Sequence, residues 1–271
     1  MEPSIIVALG WALFAGTHIG LATRRVRTAL VARLGAWGFT LLFSLIAAVS
    51  FSLMVHGYAV LRLEGLPGPA LGRFAWARWL AIGTIGTGII LIAGSLWSFP
   101  ASVTAVVTDH VAAPRGLERI TRHPFFIGIA LLGLTHALLA TRLVSVVTFG
   151  GLALFAIAGG LHQDGKLRRI MGERYATYLA ATSMVPFAAI AAGRQQLVWR
   201  ELPWLGLGVG LALAFALRFV HASIMGPALG FEGGWVVAVV VGGAGVALVQ
   251  TWLKQRQTGL QRRSPSLGSQ T

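Results

Sequence analysis

The sequence contains no cysteine, and only eight of its 271 residues are acidic. The first absence excludes disulfides, iron–sulfur clusters, thiolate-ligated haem and covalently attached c-type haem. Any redox cofactor must be held non-covalently, by histidine or another non-thiolate ligand. The second absence has a position as well as a number. Glu2, Glu64, Asp109, Glu118, Asp164, Glu173, Glu201 and Glu232 all fall at the ends of apolar runs or between them. Carboxylates within the membrane usually mark proton- or cation-coupled pathways, so their absence counts against a coupled transporter. Charged residues of both signs make up 11% of the chain against 56% hydrophobic. A soluble domain carries about 25% charged residues, so the polar surface here is too small to coat a globule in water.

What is present is a series of long apolar stretches. A helix crosses the hydrocarbon core with about 20 residues at about 1.5 Å each. Seven stretches fit: Ser4–Ala22, Leu34–Val55, Ala75–Trp97, Pro124–Thr141, Leu143–Leu161, Leu202–Val220 and Trp235–Leu253. The expectation is an all-α polytopic transmembrane bundle of about seven spans, with the membrane domain occupying residues 1–253. Only Arg142 separates the fourth and fifth, which predicts a tight hairpin. The short run Met184–Ala192 contains Pro186 and cannot span; it is expected at the interface or as a re-entrant segment.

The basic residues write a direction. Seventeen of the 22 fall in alternate connections: Arg24 to Arg33, Arg115 to Arg122, Lys166 to Arg200, and Lys254 to Arg263. Only Arg62, Arg73, Arg78, Arg142 and Arg218 lie on the opposite side. By the positive-inside rule the N-terminus is expected outside and the C-terminus in the cytoplasm. The N-terminal Met-Glu-Pro-Ser lacks the basic region of a cleavable signal peptide, so the first span is expected to stay. Residues 254–271 are basic, polar and expected to be a disordered tail. The net charge of +14 does not indicate nucleic acid, because no basic module stands outside the apolar spans. Membrane lipid is the expected surrounding partner, and a bacterial inner membrane the expected location.

Between Lys166 and Tyr178, Leu167, Ile170, Met171, Tyr175 and Tyr178 recur at helical spacing with basic residues opposite. That pattern predicts an amphipathic helix within an interfacial segment, residues 162–192, either lying on the head groups or covering a cytoplasm-facing pocket. Glycines on the third span (Gly83, Gly86, Gly94) and the fifth (Gly150, Gly151, Gly159, Gly160) permit close helix approach. Gly206, Gly208 and Gly210 imitate a nucleotide fingerprint, but no strand precedes them.

An imidazole in hydrocarbon needs a hydrogen bond or a metal. His18 lies about a turn and a half from the cytoplasmic end of span one. His136 lies 13 residues into span four, roughly 20 Å from its start. Both are candidate metal ligands, and each is also explained by a bond to a neighbouring helix. His123 stands in Arg122-His123-Pro124, where the proline fixes the helix entry and holds the imidazole at the membrane surface within reach of Glu118 and Arg119. Arg122 and His123 are candidate cofactor-binding residues, or an ordinary basic flank.

These residues, in their order, resemble the NnrU family of bacterial membrane proteins over roughly His18 to Pro227. The matching pieces are His18; Arg33-Leu34-Gly35; Thr121-Arg122-His123-Pro124 followed by Thr135-His136; Thr182-Ser183-Met184-Val185-Pro186; and His221 with Gly226-Pro227. The resemblance implies a link to denitrification and nitric-oxide responses. It also implies a relation to zeta-carotene isomerase, a membrane enzyme with non-covalent haem b held by histidine. Carried across, it implies haem b with His18 as one axial ligand and His136 or His123 as the other, acting on nitric oxide or a small hydrophobic substrate. Arg122-His123-Pro124 with Gly172-Glu173-Arg174-Tyr175 is also similar to the isoprenylcysteine and phospholipid methyltransferases, where such a pair and a carboxylate hold S-adenosylmethionine. Asp164 stands where that family has paired glutamates. A structural or assembly role without catalysis is the remaining alternative.

Overall fold

The computed structural model describes residues 1–98 and 111–225, together with Gly242. Among the described residues the structure is helical, with a single isolated bridge between Pro67 and Arg142. Among the described residues, five helices are long and apolar enough to cross a membrane, and a sixth apolar helix is shorter. The seventh expected span, Trp235–Leu253, and the tail lie outside the described residues apart from Gly242. The chain divides into two compact units.

The first unit holds α1 (Pro3–Ala22) and α2 (Arg24–Leu61) as a helical hairpin. The helices touch closely because Gly10 has no side chain: a Cβ there would come within 3.0 Å of Met54 Cβ. Phe14 meets Phe51 edge-on at 5.1 Å between ring centres, a favoured aromatic geometry. The second expected span is the later part of a longer helix. α2 starts at Arg24 and breaks at Gly35, whose φ of 71° favours a residue without Cβ.

The second unit, Leu63–Met225, contains α3 (Ala75–Ser98), α4 (Leu117–Ile120), α5 (Pro124–Leu139), α6 (Leu143–Met171), α7 (Glu173–Ala181), α8 (Ala188–Ala191) and α9 (Trp204–Met225). Four of these, α3, α5, α6 and α9, pack antiparallel in successive pairs. Between α3 and α5 the backbones nearly touch: a Cβ on Gly128 would lie 2.6 Å from Gly88 O, and one on Gly88 2.8 Å from Gly128 O. Gly133 does the same for α5 on α6, where a Cβ would lie 2.6 Å from Phe149 O. Gly206 and Gly210 do it for α9 on α3, meeting Trp97 and Ile90. Such approach lets packing, rather than hydrophobic exclusion, hold helices together in lipid. Large apolar side chains such as Trp79, Leu154 and Phe215 are left exposed, as a lipid-facing surface requires.

Connections gather at the two ends of this unit. At one end, Gly68 and Leu143 donate backbone N–H groups to Thr141 O and Leu66 O, and the Arg142 guanidinium donates to Gly65 O. At the other, Arg122 N donates to Ser183 O and Phe187 N to Ile120 O, and Thr121 Oγ1 donates to Met184 O. The second end is the one richer in Arg and Lys. The run around Pro186 is therefore tied down by the chain before α5.

The amphipathic segment differs from the expected single helix. Residues 166–171 continue α6 without interruption, and the break falls at Gly172, with φ of 57°. Most of its apolar face is buried within the protein: Leu167, Met171, Tyr175 and Tyr178 form a core against Val111, Ala112 and Leu179, whereas Ile170 is exposed. The basic side chains Lys166, Arg168, Arg169 and Arg174 are exposed.

Candidate functional site

At the basic end of the second unit, Pro124 occupies the first turn of α5 with His123 as the residue before it. Proline lacks an N–H, and none is needed at that position. On α6 the buried stripe Gly160, Asp164, Leu167 and Met171 follows the helical period, which turns the Asp164 carboxylate inward. Gly160 admits the His123 ring; a Cβ there would lie 3.2 Å from its Cδ2.

Asp164 collects three hydrogen bonds and a further ion-pair contact. Arg122 donates from Nε to Oδ2 at 2.8 Å, and its Nη2 lies 2.7 Å from the same oxygen as an ion pair. His123 Nε2 and the Tyr175 hydroxyl each donate to Oδ1 at 2.8 Å. A carboxylate on Arg only accepts, so the His123 proton sits on Nε2. His123 is 2% exposed and Tyr175 is fully buried. Burial, and then the Asp164 carboxylate beside it, push the Tyr175 hydroxyl well above its usual pKa, so it remains a donor.

A second layer lies next to this cluster. Buried Glu118 accepts from the Tyr178 hydroxyl at 2.8 Å, and burial followed by Glu118 raises that hydroxyl too. The two tyrosine rings stack at 5.4 Å. Arg119 grips Glu201 with two bonds, Nε to Oε2 at 2.7 Å and Nη2 to Oε1 at 3.0 Å. It also donates to Gln195 Oε1 at 2.9 Å. The Arg119 bond and the Gly116 N–H hold the Glu201 carboxyl down at about 2. Glu118 and Arg119, expected near His123, are thus engaged elsewhere, and Asp164 is the imidazole's partner. Sequence reading treated Tyr175 and Tyr178 as an apolar face. Their carboxylate partners come from other elements, and only helical spacing hinted at their inward direction.

At the far end of α5, His136 Nδ1 lies 2.8 Å from Leu132 O. A carbonyl only accepts, so the proton is on Nδ1 and the bare lone pair is on Nε2. Phe149 lies against the ring at 5.0 Å between centres, and the His221 ring is 6.1 Å away with 33° between planes. Thirteen helical residues, about 20 Å, separate His123 from His136, so they do not share one metal. In the first unit, His18 lies between Phe14 at 5.4 Å and Phe43 at 4.8 Å, with Nδ1 shielded from solvent. His162 is half-buried on α6, and His110 lies outside the described residues. Among the described residues no three histidine or carboxylate side chains form a metal-binding group.

Stacked apolar helices with exposed hydrophobic flanks, and polar clusters confined to the ends of the second unit, define a polytopic helical membrane protein. Residues 6–228 match the NnrU protein family, and the chain belongs to that family. It is similar to 15-cis-zeta-carotene isomerase, chloroplastic, of Arabidopsis thaliana, 27% identical over 246 residues that make up 83% of this chain and 62% of the relative. The similarity to the enzyme of the same name from Zea mays is 28% over 203 residues, 71% of this chain and 52% of the relative. The chain therefore spans between half and two thirds of the length of these relatives. No solved structure matches it.

Proposed function

We propose that this protein is a membrane isomerase of the bacterial inner membrane that acts on a small hydrophobic polyene and uses a histidine-ligated haem b. The observation that carries the cofactor is His136. Its Nδ1–H is spent on Leu132 O at 2.8 Å, which fixes the ring and leaves Nε2 as a ligand, the arrangement typical of metal-bound imidazole. His123 offers no such nitrogen at Nε2, because Asp164 holds it. Arg122 is likewise committed to Asp164, so neither is assigned to the cofactor. His18 stays a candidate ligand through the family resemblance. Bound at His136, haem would supply a redox-active iron beside apolar helices.

The substrate class follows from the relatives' isomerase activity and from the apolar lining of the first unit. A groove of about 290 Å³ there is lined by Leu13, Thr17, Leu45, Ile46, Val49, Ser50 and Leu53. The Thr17 and Ser50 hydroxyls donate to carbonyls of their own helices, so the groove presents hydrocarbon. Methyl transfer is not proposed, since the Arg122-His123 pair is closed onto Asp164.

The test uses the full chain purified in detergent from cells supplied with haem precursor. A Soret band and one equivalent of extractable b-type haem are expected, with conversion of 15-cis-zeta-carotene by the reduced protein. Haem-free protein that binds S-adenosylmethionine saturably, lost on changing Arg122 or His123, would overturn the reading. Nitric oxide added to the same sample shows by its spectrum whether that gas reaches the iron.

A further inference from the structure

The start of α2, residues 24–34, lies between the end of α1 at Ala22 and the break at Gly35. Neither the Asp164 cluster nor the groove of the first unit involves it. We infer that this stretch is a surface helix that runs along the membrane face and binds the phosphate groups of anionic phospholipids. The inference is independent of the isomerase reading and of any cofactor.

Direction is the first support. Along an unbroken helix Arg27 and Phe39 would stand about 18 Å apart, at about 1.5 Å per residue, with both side chains tilted toward the N-terminus. The Arg27 guanidinium nevertheless lies 5.5 Å from the centre of the Phe39 ring, a cation–π contact. The break at Gly35, with its φ of 71°, therefore turns the start of α2 off the axis of the span that follows. A stretch turned away at the end of a span runs along the membrane face rather than through it.

The pattern of side chains is the second. Val26, Leu30 and Leu34 recur every fourth residue and share one face, while Arg24, Arg25 and Thr28 fall on the opposite one. Val26 is 40% and Leu34 47% exposed, so the described residues leave that apolar face largely open. Such a helix sets its apolar side among acyl chains and its cations among head groups. Arg27 and Arg33 lie at the boundary, where the stems bury and the guanidinium groups reach outward.

Charge is the third. From Pro3 to Leu63 the sequence holds no acidic residue. Arg24, Arg25, Arg27 and Arg33 are all exposed, and among the described residues none of them pairs with a carboxylate. Helix stability does not account for them, because cations in the first turn oppose the helix dipole. Topology needs the charges, but it needs neither the turn at Gly35 nor the apolar face opposite them. Their counter-charge comes from outside the hairpin. At a membrane face the anions within reach are lipid phosphates, which guanidinium groups bind by paired N–H donation.

The test uses the full chain in phosphatidylcholine nanodiscs with rising fractions of brominated phosphatidylglycerol or brominated phosphatidylcholine. The chain has no cysteine, so a bimane label can be carried by Val26→Cys, Thr28→Cys or Val60→Cys alone. At Val26 the anionic lipid should quench at about a fifth of the mole fraction that the neutral lipid needs. Raising sodium chloride from about 0.05 M to about 0.5 M should remove the preference, and sodium phosphate at equal ionic strength should do no more. At Val60, exposed and apolar near the far end of α2, the two lipids should quench alike. Aqueous iodide should quench strongly at Thr28 and weakly at Val26. Changing the four arginines together to Gln should abolish the preference, and changing them to Lys should keep it, which separates charge from misfolding. Equal quenching by both lipids at Val26 overturns the lipid assignment. Displacement by phosphate beyond that by chloride makes it a free-anion site and overturns it as well. Equal iodide quenching at Val26 and Thr28 overturns the surface helix.

Discussion

A carboxylate that accepts three hydrogen bonds inside a protein leaves its donors stranded when it is removed. Asp164 does this for Arg122, His123 and Tyr175. Breaking a buried charge pair from one side costs about 3–5 kcal/mol, because the remaining charge is uncompensated. Asp164→Leu should therefore unfold at markedly lower denaturant than wild type. Tyr175→Phe removes one bond of three and should cost about 1 kcal/mol. Equal losses in a reversible denaturation series would show that Asp164 is not the hub. Little of this was legible from sequence. Arg122, His123 and Asp164 could each be singled out by type. The chain turns at Gly172, however, and so brings Tyr175 back onto Asp164, three helical turns earlier in sequence. No local pattern encodes that return. Glu201 shows the same limit, since its partner Arg119 lies 82 residues away. Its carboxyl is held at about 2, below the usual 4.5, so the Arg119 bond contributes fully above about pH 4.5 and is lost as pH falls toward 2. Melting temperature should decline over that acid range, and Glu201→Gln should flatten the decline. An equal acid slope in both proteins would assign the sensitivity to other groups.

At the scale of elements, glycine position decides which helices touch. Gly83, Gly86 and Gly150 were expected at close contacts, yet among the described residues nothing lies within 4 Å of a Cβ built on them. Gly94, Gly159 and Gly160, also expected, do face neighbours, as do Gly88, Gly128 and Gly133, which composition did not single out. A membrane helix with glycines around much of its circumference carries no periodic signal, so the sequence shows that contacts exist and not where they are. Gly206 and Gly210, which imitate a nucleotide motif, are accounted for by α3 packing. The consequence is a paired measurement. Gly128→Val places side chain against the Gly88 carbonyl and should cost about 1–3 kcal/mol through forced backbone separation. Gly150→Val at an open position should be near neutral. A larger loss for Gly150→Val would place the α3–α5 approach elsewhere.

At the scale of the whole molecule, the long apolar runs made the helical membrane class readable from sequence, because a bilayer demands about 20 apolar residues per crossing. Helix ends were less readable. Hydropathy stops at the last apolar residue, whereas α6 continues ten residues past Leu161 and α2 begins ten residues before Leu34, on amphipathic turns that pack against protein or meet water. Direction is a separate property. The connections at one end of the second unit carry Arg115, Arg119, Arg122, Lys166, Arg168, Arg169, Arg174, Arg194 and Arg200, and those at the other carry Arg73 and Arg142. The structure brings each group to a common end, through Arg122 to Ser183 and through Gly68 to Thr141. The positive-inside rule depends on such a segregation, since Lys and Arg near span ends resist translocation. We therefore predict that the end holding Asp164 faces the cytoplasm and that the N-terminus lies outside. The measurement is labelling of single cysteines in intact cells, clean here because the chain has none of its own. A cysteine at Glu64 should react with an impermeant maleimide in intact cells, and one at Arg174 only after lysis. Both positions are exposed, so failure to react reports sidedness rather than burial. Labelling of Arg174→Cys from outside, with Glu64→Cys protected, would reverse the orientation of the spans of the second unit.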